Sequence, residues 1–172
     1  MGTSRRTFLT AGGLAALALA AGGALYRATH PEPPHRFALD GEARAALHAI
    51  APVILAGALP QGQGRDAALA SIIEGVHAAI LGLPPATQKE VQDLFGLLAL
   101  APARRLLTKV SGGWSHARHE DVAAFLQDWR LHHLGLLRSA YHALHDLVLG
   151  AWYAQPASWP ATGYPGPMKE LS

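Results

Sequence analysis

The chain has no cysteine in its 172 residues. That excludes a disulfide framework, a thiolate metal site, c-type haem attachment and a cysteine nucleophile. A chain bound for an oxidising compartment must then be held by packing, and it can fold before export without an oxidant. No stretch alternates apolar and polar residues at period two with β-branched side chains, so no strand is predicted. No internal repeat is apparent. The serines Ser71, Ser111, Ser115, Ser139 and Ser158 have no nucleophile-elbow context, and Gly62-Gln63-Gly64 follows no predicted strand, so neither acyl-transfer nor dinucleotide chemistry is indicated.

Charge is also scarce, at 15% of residues. The formal net charge of +2 misleads, because three of the 14 Lys and Arg (Arg5, Arg6, Arg27) lie in the first 30 residues, which hold no acid. The remaining 11 stand against 12 Asp and Glu. A nucleic-acid partner therefore has no electrostatic basis. Half of the residues are hydrophobic, which implies a filled helical core or apolar surface covered by a partner.

What is present begins with Ser4-Arg5-Arg6-Thr7-Phe8-Leu9. Paired arginines before Phe-Leu, followed by an uncharged run of 18 residues from Phe8 to Leu25, read as a twin-arginine export signal. Ser4, Arg5, Arg6, Phe8 and Leu9 carry it. Thr10 stands where the pattern often has Lys. The run is rich in Ala and Gly and at the lower edge of what spans a bilayer. Ala18-Leu19-Ala20 offers a small-x-small cleavage site, and retention as an anchor is the alternative. The expected destination is the periplasm, with membrane association if the leader is retained. The predicted organisation is a leader over 1–30, a Pro-rich linker over 31–39, a helical domain over 40–154 and an extended arm over 155–172.

The fold class is all-α, a small bundle of about five to six helices. Asp40 is a candidate N-cap, and Ala43, Leu47, Ile50 and Ile54 share a helical face until Pro52 kinks or ends it. A loop over 57–64 precedes a helix from about Asp66 to Leu81, striped by Leu69, Ile72, Ile73, Val76 and Ile80. Glu74 lies within that apolar run and is expected to face solvent. Pro85 opens a third helix, with Val91, Leu94, Phe95 and Leu98 inward and Gln88, Lys89, Glu90 and Asp93 toward water. A short helix over about 102–110 carries Arg104 and Arg105, expected at the surface, where one could anchor an acidic group of a partner. Trp114 should tie its loop to the core. A fifth helix from His119 buries Val122, Phe125, Leu126 and Trp129. The longest, about His133 to Tyr153, has the stripe Leu134, Leu137, Tyr141, Leu144, Val148, Ala151 and Trp152 beside a second apolar set, Leu136, Ala140, Ala143 and Leu147. It is either central or covered by something else. From Gln155 onward, proline, glycine, Trp159 and Tyr164 make an arm that needs apolar surface to lie on.

Histidine is the only abundant catalytic residue type, with ten. His142 and His145, with Asp146, share a helix face, as do His116 and His119, while His132 and His133 point different ways. A structural metal site needs about four ligands. No third or fourth protein ligand stands at a recognisable spacing, so these read as a polar strip, and no metal-binding or catalytic residue is assigned.

The order of these pieces resembles the gluconate 2-dehydrogenase subunit 3 family. These are the small (gamma) subunits of membrane-bound, flavin-dependent dehydrogenases of the glucose–methanol–choline type. The resemblance rests on the leader, Ile50-Ala51-Pro52 before a Gly/Pro loop, Phe125-Leu126-x-x-Trp129 and Arg138-x-x-Tyr141. Most specific is the tail, Trp152-Tyr153-x-x-Pro156-x-x-Trp159 to Gly163-Tyr164-Pro165-Gly166-Pro167. Some related small subunits carry a tail cysteine, which this chain lacks. The resemblance implies a non-enzymatic subunit, without a cofactor of its own, that supports folding, stability and export of a large FAD-bearing chain. Its partners would be that flavoprotein and the twin-arginine translocase, with room for a membrane cytochrome subunit. Trp152, Tyr153, Trp159, Tyr164, Pro165, Gly166 and Pro167 are the candidate partner-binding residues. The alternative from another class is an independent periplasmic helical binding protein that holds metal through histidines.

Overall fold

The first helix runs through its proline and gives way before Gly57, whose φ is +82°. A computed structural model describes residues 37–39 and 41–166. The leader with its signal residues Ser4, Arg5, Arg6, Phe8 and Leu9, the linker before Phe37, the Asp40 cap and Pro167 lie outside the described residues. Helix α1 spans Gly41–Ile54, with Pro52 inside its last turn. The ring supplies no N–H to the preceding turn, and the helix ends two residues later. Ala46, Leu47, Ile50 and Ala51 on α1 have no exposed surface at all.

Helix α2 (Gly64–Leu81) buries the expected stripe of Leu69, Ile72, Ile73, Val76 and Ile80. Glu74 points to water, where it pairs with Arg44 of α1 at 2.7 Å. Helix α3 (Pro85–Ala99) starts on its proline. Gln88, expected in water, is half-buried instead. Its amide donates to the carbonyls of Leu81 (3.2 Å) and Leu83 (2.9 Å), oxygens left free where α2 ends. Helix α4 (Ala101–Thr108) follows at once, then a 3₁₀ turn (Trp114–His116), α5 (His119–Leu131) and α6 (Gly135–Tyr153). A second 3₁₀ turn (Pro156–Ser158) leads into α7 (Trp159–Thr162). The described residues contain no strand.

The central helix is α1, which packs against α2, α3, α5 and α6. Helix α6, expected to be either central or covered by something else, packs mainly on α2 and α5 and leaves its N-terminal leucines outside. It also begins two residues later than predicted, for a local reason. The His132 Nδ1 accepts the Leu134 N–H at 3.1 Å, and the Arg138 guanidinium donates to the carbonyls of His132 (2.6 Å) and His133 (3.1 Å). These bonds hold the chain in a turn. They also stack the His132 and His133 rings at 4.4 Å, where divergent side chains were expected.

The domain starts earlier than the predicted linker boundary at residue 39. Phe37 and Leu39 are buried, with the Phe37 ring 5.8 Å from His77 and 6.1 Å from Phe95. The Ala38 N–H donates to Gln92 Oε1 at 3.1 Å. Two apolar side chains just past the prolines are enough to dock this stretch on α3.

The largest departure concerns Arg104, expected at the surface. It is only 6% exposed. Its Nε donates to the Val110 carbonyl (3.3 Å), and Nη1 to the Ala99 carbonyl (3.3 Å) and Glu42 Oε2 (3.0 Å). One guanidinium thus bonds backbone at both ends of α4 and the first turn of α1. Arg105, its neighbour, is exposed as expected.

Arg104→Ala is expected to lower the unfolding free energy by about 2–3 kcal/mol, because buried carbonyls lose their donor. Glu42→Gln should cost under about 1 kcal/mol, since its carboxylate is half in water. Urea denaturation separates the two. Equal losses would mean that the ion pair, and not the carbonyl bonds, holds α4. A second prediction concerns Gly75 of α2, where an added Cβ would sit 3.2 Å from the Ala151 Cβ of α6. Gly75→Leu is expected to cost about 2–3 kcal/mol by forcing the helices apart. Gly96→Ala, where a Cβ meets nothing within 4 Å, should instead gain about 0.5–1 kcal/mol.

Candidate partner-docking surface

The candidate surface is built where α6 runs out. Pro156 cannot continue α6, and Gln155 caps the end by donating from its side chain to the Ala151 carbonyl at 3.1 Å. The chain then turns back. Ser158 is buried and its hydroxyl donates to the Gln155 carbonyl at 2.8 Å. Pro160 sits in the first turn of α7, and Gly163 ends it with φ +70°, a left-handed conformation that glycine adopts without strain.

Among the described residues, the predicted extended arm is wound into short helices over 156–162, and 164–166 continues without regular structure. The physical reason is that Pro at the start of a turn favours helix as readily as it blocks one further in. The aromatics of the arm lie on each other. The Trp159 and Tyr164 rings meet edge to face at 5.3 Å, and the Trp159 indole N–H donates to the Tyr153 carbonyl at 3.3 Å. Gly166 passes so close that a Cβ there would be 3.0 Å from the Trp159 ring.

The candidate residues divide accordingly. Trp152 is 3% exposed and belongs to the core, so little of its surface is open to a partner. Tyr153 and Tyr164 stand 45% and 49% exposed, Pro165 is exposed, and Trp159 and Gly166 are half-buried. A groove of about 470 Å³ opens between the same tail and α2. Ala157 and Ala161 of the tail form one wall, Ala58 and Pro60 with Ala67 and Ala68 of α2 the other, and Trp152 lies in it. Sequence reasoning did not find this groove. Its signal is the set of alanines at positions 58, 67, 68, 157 and 161, which leave room where larger side chains would fill it.

The histidines do not converge on one point. No group of three or more His, Asp and Glu able to hold a metal ion occurs among the described residues. His145 Nδ1 lies 3.2 Å from Asp146 Oδ1, and Tyr141 packs against both His142 (5.3 Å) and His145 (5.5 Å). No helix among the described residues is long and apolar enough to cross a membrane. Among the described residues, a marked electrostatic perturbation stands at the start of α5. A hydrogen bond from Arg118, reinforced by its charge, holds the Asp121 carboxyl below the usual carboxylate range. The same bond raises the Arg118 pKa further.

No family model, curated protein or solved structure matches the chain.

Trp152→Ala is expected to cost about 3–5 kcal/mol, because it opens a cavity in the core. Trp159→Ala should cost under about 1 kcal/mol, since its ring packs mainly on the tail. Thermal or urea unfolding of both variants checks this, and equal losses would make the tail part of the core. For Asp121, the lowered folded-state pKa means that its contribution to stability is present above the unfolded value and is lost as pH falls through the folded one. Arg118→Ala should move the Asp121 titration up toward the ordinary range in an NMR pH series.

Proposed function

We propose that this chain is the non-catalytic small subunit of an FAD-dependent dehydrogenase of the glucose–methanol–choline type, and that it supports the large subunit's folding, stability and twin-arginine export. The observation that carries this reading is the tail. Its motif, Trp152-Tyr153-x-x-Pro156-x-x-Trp159 to Gly163-Tyr164-Pro165-Gly166, is the most specific part of the family resemblance. Within the same stretch Tyr153 and Tyr164 are exposed, and Trp152, Gln155, Ala157 and Ala161 line an alanine-rich groove. Exposed aromatic rings and grooves are the anchors and pockets around which protein interfaces are built.

The division of labour follows from the leader. A twin-arginine signal directs folded proteins, so one chain carrying it can export a second chain that has already bound flavin. A body without cysteine suits this order of events, because no oxidative step separates folding from export.

The test is co-expression with a large flavin-binding chain from the neighbouring reading frame. Soluble, flavin-loaded and exported flavoprotein is expected only when this chain is present. Arg5→Lys with Arg6→Lys should strand dehydrogenase activity in the cytoplasm. Equal yields with and without this chain, or a stable lone monomer that binds Zn²⁺ or Cu²⁺ tightly, would overturn the proposal in favour of an independent binding protein.

A further inference from the structure

The opposite end of α6 carries a second surface, distinct in chemistry from the aromatic tail. Helix α6 has 19 residues, so its two ends are about 27 Å apart. At the start of α6, Leu131, Leu134 and Leu136 are 70%, 52% and 77% exposed. They fall within six consecutive residues at the corner between α5 and α6. Arg130 is exposed beside them, and Lys109, at the end of α4, lines one depression with Leu131, His132 and His133. Asp128 is the acid in that depression. Around the corner Lys109, Arg130 and Arg138 stand against Asp128 and, on the far side of Lys109, Asp121, which is paired with Arg118, although the body as a whole is near neutral.

The corner is also rigid in its backbone. The His132 ring accepts the Leu134 N–H, and Arg138 donates to two carbonyls of the turn. The leucines are thus held outward by a preformed turn.

We propose that this corner is a contact site for an anionic lipid surface. Leucines that reach past the headgroups, ringed by Lys and Arg that meet phosphate, are the chemistry of interfacial membrane binding. A protein partner fits less well. The cores of protein interfaces are depleted of charge, and the depression beside the leucines is lined by Gln127, Asp128, Lys109 and the two histidines. The proposal goes beyond the subunit reading and does not depend on it. If both hold, the tail takes the partner while the corner rests on the membrane.

The absence of cysteine supplies a local probe in the full chain. Ser139→Cys, one turn past Leu136, takes an environment-sensitive NBD dye, and Ala157→Cys takes the same dye at the other end of α6. Vesicles of phosphatidylcholine mixed with phosphatidylglycerol should shift emission to the blue and brighten it at position 139 and leave position 157 unchanged. Pure phosphatidylcholine should give a much weaker response. Lys109→Gln and Arg130→Gln should each weaken vesicle binding about five-fold. Leu131→Ser with Leu136→Ser should abolish the response with the helical circular dichroism unchanged.

No response at position 139 would overturn the proposal. So would an equal response at both positions, which would place the binding in the leader. A response that follows protein concentration without vesicles would overturn it too, by showing a second copy of the chain at the corner.

Discussion

The structure depends on how the carbonyl groups between residues 98 and 110 are satisfied. Helices α3 and α4 end close together, and each ending leaves backbone oxygens without helical partners. Three large side chains supply the donors. Trp114 Nε1 donates to the Leu98 carbonyl at 2.8 Å, Trp129 Nε1 to the Leu107 carbonyl at 3.0 Å, and Arg104 to those of Ala99 and Val110. Each donor has its apolar part in the core, so one residue both fills space and closes a backbone end. Phe125 then packs edge-on against both indoles, at 5.7 Å from Trp114 and 5.4 Å from Trp129. In a chain without disulfides this network does the work of a cross-link between α3, α4 and α5.

A consequence is an uneven molecule. Around α1, the indoles and Arg104 no buried side-chain nitrogen or oxygen is without a partner among the described residues, although Leu97, Leu100 and Leu106 nearby on α3 and α4 stand 44%, 60% and 81% exposed. The two ends of α6 are different. One end presents tyrosines and a groove walled by alanines, and the other presents leucines among cations. Both are surfaces whose composition makes sense against something other than water.

Much of this was legible in the residues. The five stripe positions of α2, the proline start of α3, the four buried positions of α5 and the anchoring of Trp114 follow from period, caps and the cost of wetting an indole. The roles of Arg104 and Gln88 were not legible, because each bonds carbonyls that come within reach only after helices end and meet. The turn before α6 was missed because side-chain bonds from His132 and Arg138 replaced the helical bonds that periodicity predicted. At the tail the aromatic residues were visible, but their division was not. Trp152 and Tyr153 are neighbours in sequence, yet one faces the core and the other faces water.

Helical class, element order and the apolar face of each helix come from local rules, since a 3.6-residue period, a proline or a glycine acts within a few residues. Which helix is central, which arginine is buried and which aromatic is free come from packing. Ala46, Leu47, Ile50 and Ala51 are all fully buried on α1, where the two alanines let neighbouring helices approach closely, whereas the longer α6 packs mainly on α2 and α5. Hydrophobicity ranks what prefers to be inside; shape and the need to satisfy buried carbonyls choose among the candidates.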